Sequence, residues 1–150
     1  MIKLYKLIAN CLGIGYVKGG GTIAALVCCV IWYLARAVVS LPVVAVIITI
    51  LVILIGVFVS DKVEPDWGKD SSRVVIDEVA GMCISLLLIP VELKYIAAGL
   101  LLFRVLDITK PLLIRKMEAL KGGWGVMMDD VLAGIYANLI MHIIVQNNLF

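Results

Sequence analysis

Between Pro42 and Asp61 the chain runs through eighteen residues, 43–60, without one charged side chain. A helix over that run rises about 27 Å, close to the roughly 30 Å hydrocarbon thickness of a bilayer. The rest of the chain makes such a segment hard to hide from water. Of 150 residues, 63% are apolar, and the mean hydropathy is +1.13. A soluble domain of this size keeps too much surface in contact with water to bury that much apolar area. The bilayer is therefore the expected solvent. A single membrane-embedded domain over residues 1–150 is expected, with no large domain outside the membrane.

Other apolar runs cover residues 22–40, 74–89, 93–109 and 127–145. Residues 1–12 differ. Ile2, Leu4, Tyr5 and Ile8 alternate there with Lys3, Lys6 and Asn10, the pattern of a helix lying in the interface. Pro111 suits the first position of another interfacial helix, with Leu113, Met117 and Leu120 along one stripe and Gly122-Gly123 ending it. The expected fold is an all-α polytopic membrane helix bundle. It has about five spans plus an N-terminal and a cytoplasmic interfacial helix.

The net charge of +2 is too small to point to nucleic acid. The placement of charge says more. Loops that alternate along five spans hold eleven basic residues on one side and two, Arg36 and Lys94, on the other. Basic residues concentrate on the cytoplasmic face, so the N-terminus is expected there. Ten of the eleven acids fall on that same side, although acids contribute little to topology. Their clustering calls for a chemical reason.

Asp77-Glu78, Asp107 and Asp129-Asp130 stand inside or at the lip of apolar runs. A carboxylate at membrane depth is costly and is usually paired or functional. Five carboxylates at one face suit a hard divalent cation such as Mg2+, which takes oxygen ligands and bridges them to phosphate. All five are candidate metal ligands and catalytic groups. Arg104, three residues before Asp107, and Lys110 are candidates to hold phosphoryl oxygens. The Gly-rich segments Lys18-Gly19-Gly20-Gly21-Thr22 and Gly122-Gly123-Trp124-Gly125 each precede a helix, where backbone N–H groups can cradle phosphate. Gly21 and Thr22 are the candidates for that role. Gly81 and Gly134 each follow an acid by four residues and would let helices approach closely.

Several other phosphate chemistries are excluded. None of Cys11, Cys28, Cys29 and Cys83 has an Arg six residues later, as a cysteine phosphatase requires. His142 is the single histidine, the D-x-D-x-[TV] motif is missing, and so is the D-G-x2-A-R signature of CDP-alcohol phosphotransferases. The competing class is a small non-enzymatic membrane protein whose intramembrane acids serve ion passage or helix assembly.

Three stretches carry a specific resemblance. They are Val75-Ile-Asp-Glu-Val-Ala-Gly-Met82, Phe103-Arg-Val-Leu-Asp-Ile-Thr-Lys-Pro111 with Ile114-Arg115, and Gly122-Gly-Trp-Gly-Val-Met-Met-Asp-Asp-Val-Leu-Ala-Gly134. In this order, with apolar segments between, the chain resembles the phosphatidylglycerophosphatase A family over about residues 13–145. Asp70 matches the acidic position ahead of the first of these stretches, and Asp70 and Arg115 are expected to support the ligands from behind. Two departures are visible. The N-terminal Ala-Pro-Gly-Thr-x-Gly-Ser of the family reads Gly19-Gly-Gly-Thr-Ile-Ala-Ala25 here, and Leu113 replaces a proline. The resemblance implies an Mg2+-dependent phosphomonoesterase acting on an anionic phospholipid. Phosphatidylglycerophosphate would yield phosphatidylglycerol and phosphate in phospholipid biosynthesis. It also implies a multi-pass protein of the bacterial inner membrane with its active site facing the cytoplasm.

The charge asymmetry makes a direct prediction. In intact cells, Asp70→Cys in a background without other cysteines is expected to resist a membrane-impermeant thiol reagent added outside. Labelling from outside would overturn the orientation.

Overall fold

The computed structural model describes residues 1–149, which form helices joined by turns, with no strand among them. The first helix, α1 (Ile2–Ala9), is the expected amphipathic segment. Its Tyr5 ring meets Phe58 edge-to-face at 5.6 Å, and Lys6 pairs with Asp66 at 2.7 Å. A 3-10 turn (Ile14–Tyr16) leads into α2 (Gly20–Leu34), followed by one-turn α3 (Arg36–Val39). Then come α4 (Pro42–Trp67), α5 (Ile76–Leu86), α6 (Leu93–Thr109), one-turn α7 (Ile114–Met117) and α8 (Gly123–Gln146).

Among the described residues two helices, α4 and α8, are long and apolar enough to cross a membrane. Neither behaves as the core helix of a soluble protein. Only 28% of the most apolar stretch of α4 and 39% of that of α8 are buried. Val43, Ile47, Ile50, Leu54 and Phe58 face outward from α4, and Leu139 and Ile143 from α8. An outer surface of this kind suits lipid.

The expectation of about five full spans is not met by helix length. α2 has 15 residues, α6 has 17 and α5 only 11. At 1.5 Å per residue, α5 rises about 16 Å, roughly half a hydrocarbon core. Its apolar character has another cause, burial among neighbouring helices. Ala80, Gly81, Met82, Cys83, Ser85 and Leu86 are all enclosed. Leu88 at φ +60° and Pro90 then turn the chain toward α6. The last carbonyls of α5 are not left unpaired. Asn138 of α8 donates to Leu87 O at 2.8 Å and to Ser85 O at 3.3 Å.

The second interfacial helix is also shorter than expected. Lys110 and Leu112 adopt left-handed φ values, so Pro111 lies in a turn and not at a helix start. One helical turn remains, anchored by the fully buried Ile114.

The main core joins Trp32 and Cys28 of α2, Met82 and Leu86 of α5, Phe103 of α6, and Ala133 and Ala137 of α8. At its centre α5 and α8 cross through Gly81 and Gly134. A Cβ on Gly134 would stand 2.5 Å from Gly81 O, and one on Gly81 would stand 2.7 Å from Asp130 O. No side chain fits between these backbones. Gly134→Ala is expected to lower stability by about 1–3 kcal/mol, the usual cost of overpacking. Gly99→Ala, whose Cβ would meet the flexible end of Leu86 at 3.0 Å, should cost much less. Thermal unfolding of both variants in detergent checks the ranking, and equal losses would contradict the backbone contact.

Candidate active site

Helix direction alternates through the bundle. The starts of α2, α5 and α8 and the ends of α4 and α6 therefore meet at one end. A cavity of about 730 Å³ opens there, walled by residues 15–21, residues 70–75, Asp77, Glu78, Asp107, Lys110, Asp129 and Asp130. At the opposite end, residues 39–42 and 88–91 lie together.

Glu78, Asp107 and Asp130 converge most tightly. One carboxylate oxygen from each lies within 4.8 Å of the other two. Three helices supply them, and each arrives for a local reason. Glu78 sits in the first turn of α5, where a helix N-terminus favours an acid. Asp130 is carried in by the glycine crossing one turn further along α8. Asp107 lies one turn beyond Arg104 on α6, and Arg104 binds it back at 2.7 Å. The same Nη1 of Arg104 also donates to Glu78 Oε2. Gly21 permits this packing, because a Cβ there would overlap the Glu78 carboxylate.

The other two acids hold different partners. Asp77 lines the cavity, and its Oδ1 accepts the Glu78 backbone N–H at 2.9 Å. Asp129 Oδ2 accepts from Lys110 Nζ at 2.8 Å, while its Oδ1 is buried without a hydrogen-bond partner. Lys110 also donates to Glu118 Oε1 at 2.5 Å. Burial alone would depress the Lys110 pKa. Its bonds to Asp129 and Glu118 outweigh that effect and hold the ammonium above the usual lysine range. Lys110 is therefore charged throughout neutral pH.

The structure sorts the remaining candidates. Arg104 does not line the cavity and stands behind the acids it binds. Gly21 lines the cavity, whereas Thr22 is exposed and outside its wall. Asp70, at φ +53°, lines it as well. Arg115 faces a smaller neighbouring cavity of about 450 Å³, shared with Asp70 and Glu118. Lys18, which opens the first Gly-rich segment, joins the wall, and so does Arg73, which the sequence did not single out. Position supplies a signal for Arg73, which precedes Asp77 by four residues at the entry to α5. Glu118 offered none beyond its charge, because its partner Lys110 is brought to it by left-handed backbone at Lys110 itself and at Leu112.

Six acids and three bases line this cavity. Such a wall attracts cations, and its Lys and Arg groups offer anchors for an anion bridged through one.

Comparison with known proteins bears on what this cavity does. The family model for phosphatidylglycerophosphatase A matches residues 7–145. A Bacteroides thetaiotaomicron protein, provisionally named a phosphatidylinositol-3-phosphatase, is 42% identical over 127 residues, covering 81% of this chain and 80% of that protein. Phosphatidylglycerophosphatase A of Escherichia coli is 37% identical over 101 residues, covering 65% of this chain and 59% of the relative. The Haemophilus influenzae protein of the same name is 42% identical over 98 residues, covering 63% and 60%. The chain thus aligns with about three fifths of the length of these last two relatives. No solved structure matches. The family match runs from α1 to the end of α8 and takes in every acid of the cavity, so the chain belongs to the phosphatidylglycerophosphatase A family.

Proposed function

We propose that this chain is an Mg2+-dependent phosphomonoesterase that hydrolyses phosphatidylglycerophosphate to phosphatidylglycerol and inorganic phosphate. It works as a multi-pass protein of the bacterial inner membrane with the cavity open to the cytoplasm. The observation that carries this reading is the meeting of Glu78, Asp107 and Asp130 beside the Lys110 ammonium.

The residues fit a hard divalent cation. Their donors are all carboxylate oxygens, and the orphaned Asp129 Oδ1 is one more buried acceptor in the same wall. Glu78, Asp107 and Asp130 would hold the ion, with Asp129 and Asp77 beside them. When bound, the cation supplies charge to polarise the phosphoryl group. The protein's own groups do the rest. Lys110, Lys18 and Arg73 draw in and orient the phosphate. Arg104 fixes Glu78 and Asp107 and offsets their repulsion. A carboxylate on the wall, Asp77 or Asp129, takes the proton of the attacking water. The water oxygen bonds to phosphorus, the P–O bond to glycerol breaks, and the proton held by that carboxyl group passes to the departing oxygen.

The provisional name of the Bacteroides relative favours a second headgroup, a phosphoinositide phosphomonoester. Both substrates share the terminal phosphate and the lipid anchor. A non-enzymatic role is not favoured, since the named relatives are phosphatases.

Phosphate release by purified protein tests these readings. Activity on phosphatidylglycerophosphate is expected with Mg2+ and should vanish with EDTA. Greater turnover of phosphatidylinositol 3-phosphate would favour the second headgroup. Asp107→Asn and Asp130→Asn should cut turnover at least about a hundredfold, the range for removing one electrostatic stabiliser. Lys110→Ala should lose activity while retaining metal binding. If both Asn variants stay folded and near wild-type in rate, the shared cation site is wrong.

Cysteine chemistry makes a separate prediction. Burial, and then the field of Asp77, push the Cys11 thiol up to about 11, so it is almost wholly protonated at neutral pH. Cys28 and Cys83 face each other in the core with sulfurs 3.7 Å apart. A variant with all four cysteines replaced by Ala or Ser is expected to keep most of its phosphatase activity. Loss of activity in a folded, inserted variant would count against carboxylate chemistry.

A further inference from the structure

We propose that the apolar groove between α1, α2, α4 and α5 seats one acyl chain of the phospholipid whose phosphate enters the acidic cavity. This inference rests on the reading of the substrate as a phospholipid phosphomonoester.

The groove encloses about 400 Å³, and every side chain lining it is Leu, Ile, Val, Ala or Cys. Leu7 and Ile8 of α1 form one wall, Val27 and Ile31 of α2 another, and Ile76 and Val79 of α5 the floor. Leu7, Val27 and Ile31 are substantially exposed, so the groove opens on the lipid-facing side.

Its position relative to the polar cavity identifies the occupant. On α5, Ile76 and Val79 face the groove while Asp77 and Glu78 between them face the cavity. On the segment joining α1 to α2, residues 11, 12 and 14 line the groove and residues 15–21 line the cavity. The two spaces therefore abut along two separate stretches of chain, within one helical turn. The influence of Asp77 on Cys11, a groove residue, agrees with that closeness. A ligand that fills both spaces needs a phosphate at one end and a hydrocarbon tail at the other. A second protein copy or a polar peptide meets only half of that requirement. Moving a tail from bilayer into groove exchanges one apolar environment for another, so the gain is in positioning and not in solvation. The seated chain fixes the headgroup over the acids.

The test blocks the groove without touching the acids. Val27→Trp fills it, and Leu26→Trp places the same bulk on an exposed part of α2 outside the groove. In mixed micelles, Val27→Trp should lower kcat/KM on dipalmitoyl phosphatidylglycerophosphate about tenfold or more, as misplacement of a reacting group does. It should lower the dihexanoyl substrate far less, and Leu26→Trp should change neither. Equal losses on both chain lengths, or equal behaviour of the two variants, overturn the groove. A photoreactive diazirine on the acyl chain gives a readout independent of turnover. Labelling is expected at Leu7, Val27 and Val79, displaced by unlabelled lipid. Labelling there without phosphate release keeps the groove and rejects the proposed reaction. Phosphate release with labelling spread over the outer face of α4 keeps the reaction and rejects the groove.

Discussion

The guanidinium of Arg104 bonds to acids from two helices, Glu78 on α5 and Asp107 on α6. Much else depends on that contact. Carboxylates so close together at the end of an apolar bundle repel one another and resist desolvation. Without a shared cation, α5 and α6 would be pushed apart where they must meet. Lys110 plays the matching role on the other flank, tying Asp129 of α8 to Glu118 ahead of it. Two basic groups hold four acids in this way, and Asp77 and Asp130 are two further carboxyl groups on the same cavity wall. The proposed cation would offset the remaining excess of acid.

Electrostatics alone does not set the distances. Asp130 reaches Glu78 because Gly81 and Gly134 let two backbones touch, and Glu78 reaches the start of α2 because Gly21 has no side chain. Packing brings the acids together, and the cations make the result tolerable. The two requirements act on neighbouring turns of the same helices. A mutation at the crossing therefore disturbs the acids even though it lies outside the cavity.

The short α5 has a function in this arrangement. Enclosed by its neighbours, it does not need to match the thickness of a bilayer. Its first turn carries both characters of a phospholipid, with Asp77 and Glu78 turned to the polar cavity and Ile76 and Val79 to the apolar groove. A helix turns by about 100° per residue, so adjacent positions serve opposite surroundings.

Read without a structure, the chain already pointed to a lipid solvent and an all-helical class, and it singled out the acids that the fold gathers at one cavity. Residues 43–60 have no charge to place, and carboxylates set in apolar runs are costly enough to call for partners. The small residues at Gly81 and Gly134 were legible as a close approach because their spacing from Asp77 and Asp130 is one helical turn. Helix lengths were not legible. Residues 74–89 read as a span, yet α5 stops at Leu86, because burial by protein and burial by lipid demand the same apolar composition. Partner choice was equally hidden. Arg104 and Lys110 looked alike as phosphate anchors, but one lies behind the acids and the other on the cavity wall. That distinction came from the packed fold. Side-chain pairing depends on which helices meet at a given depth, and that is settled by packing between segments far apart in the chain.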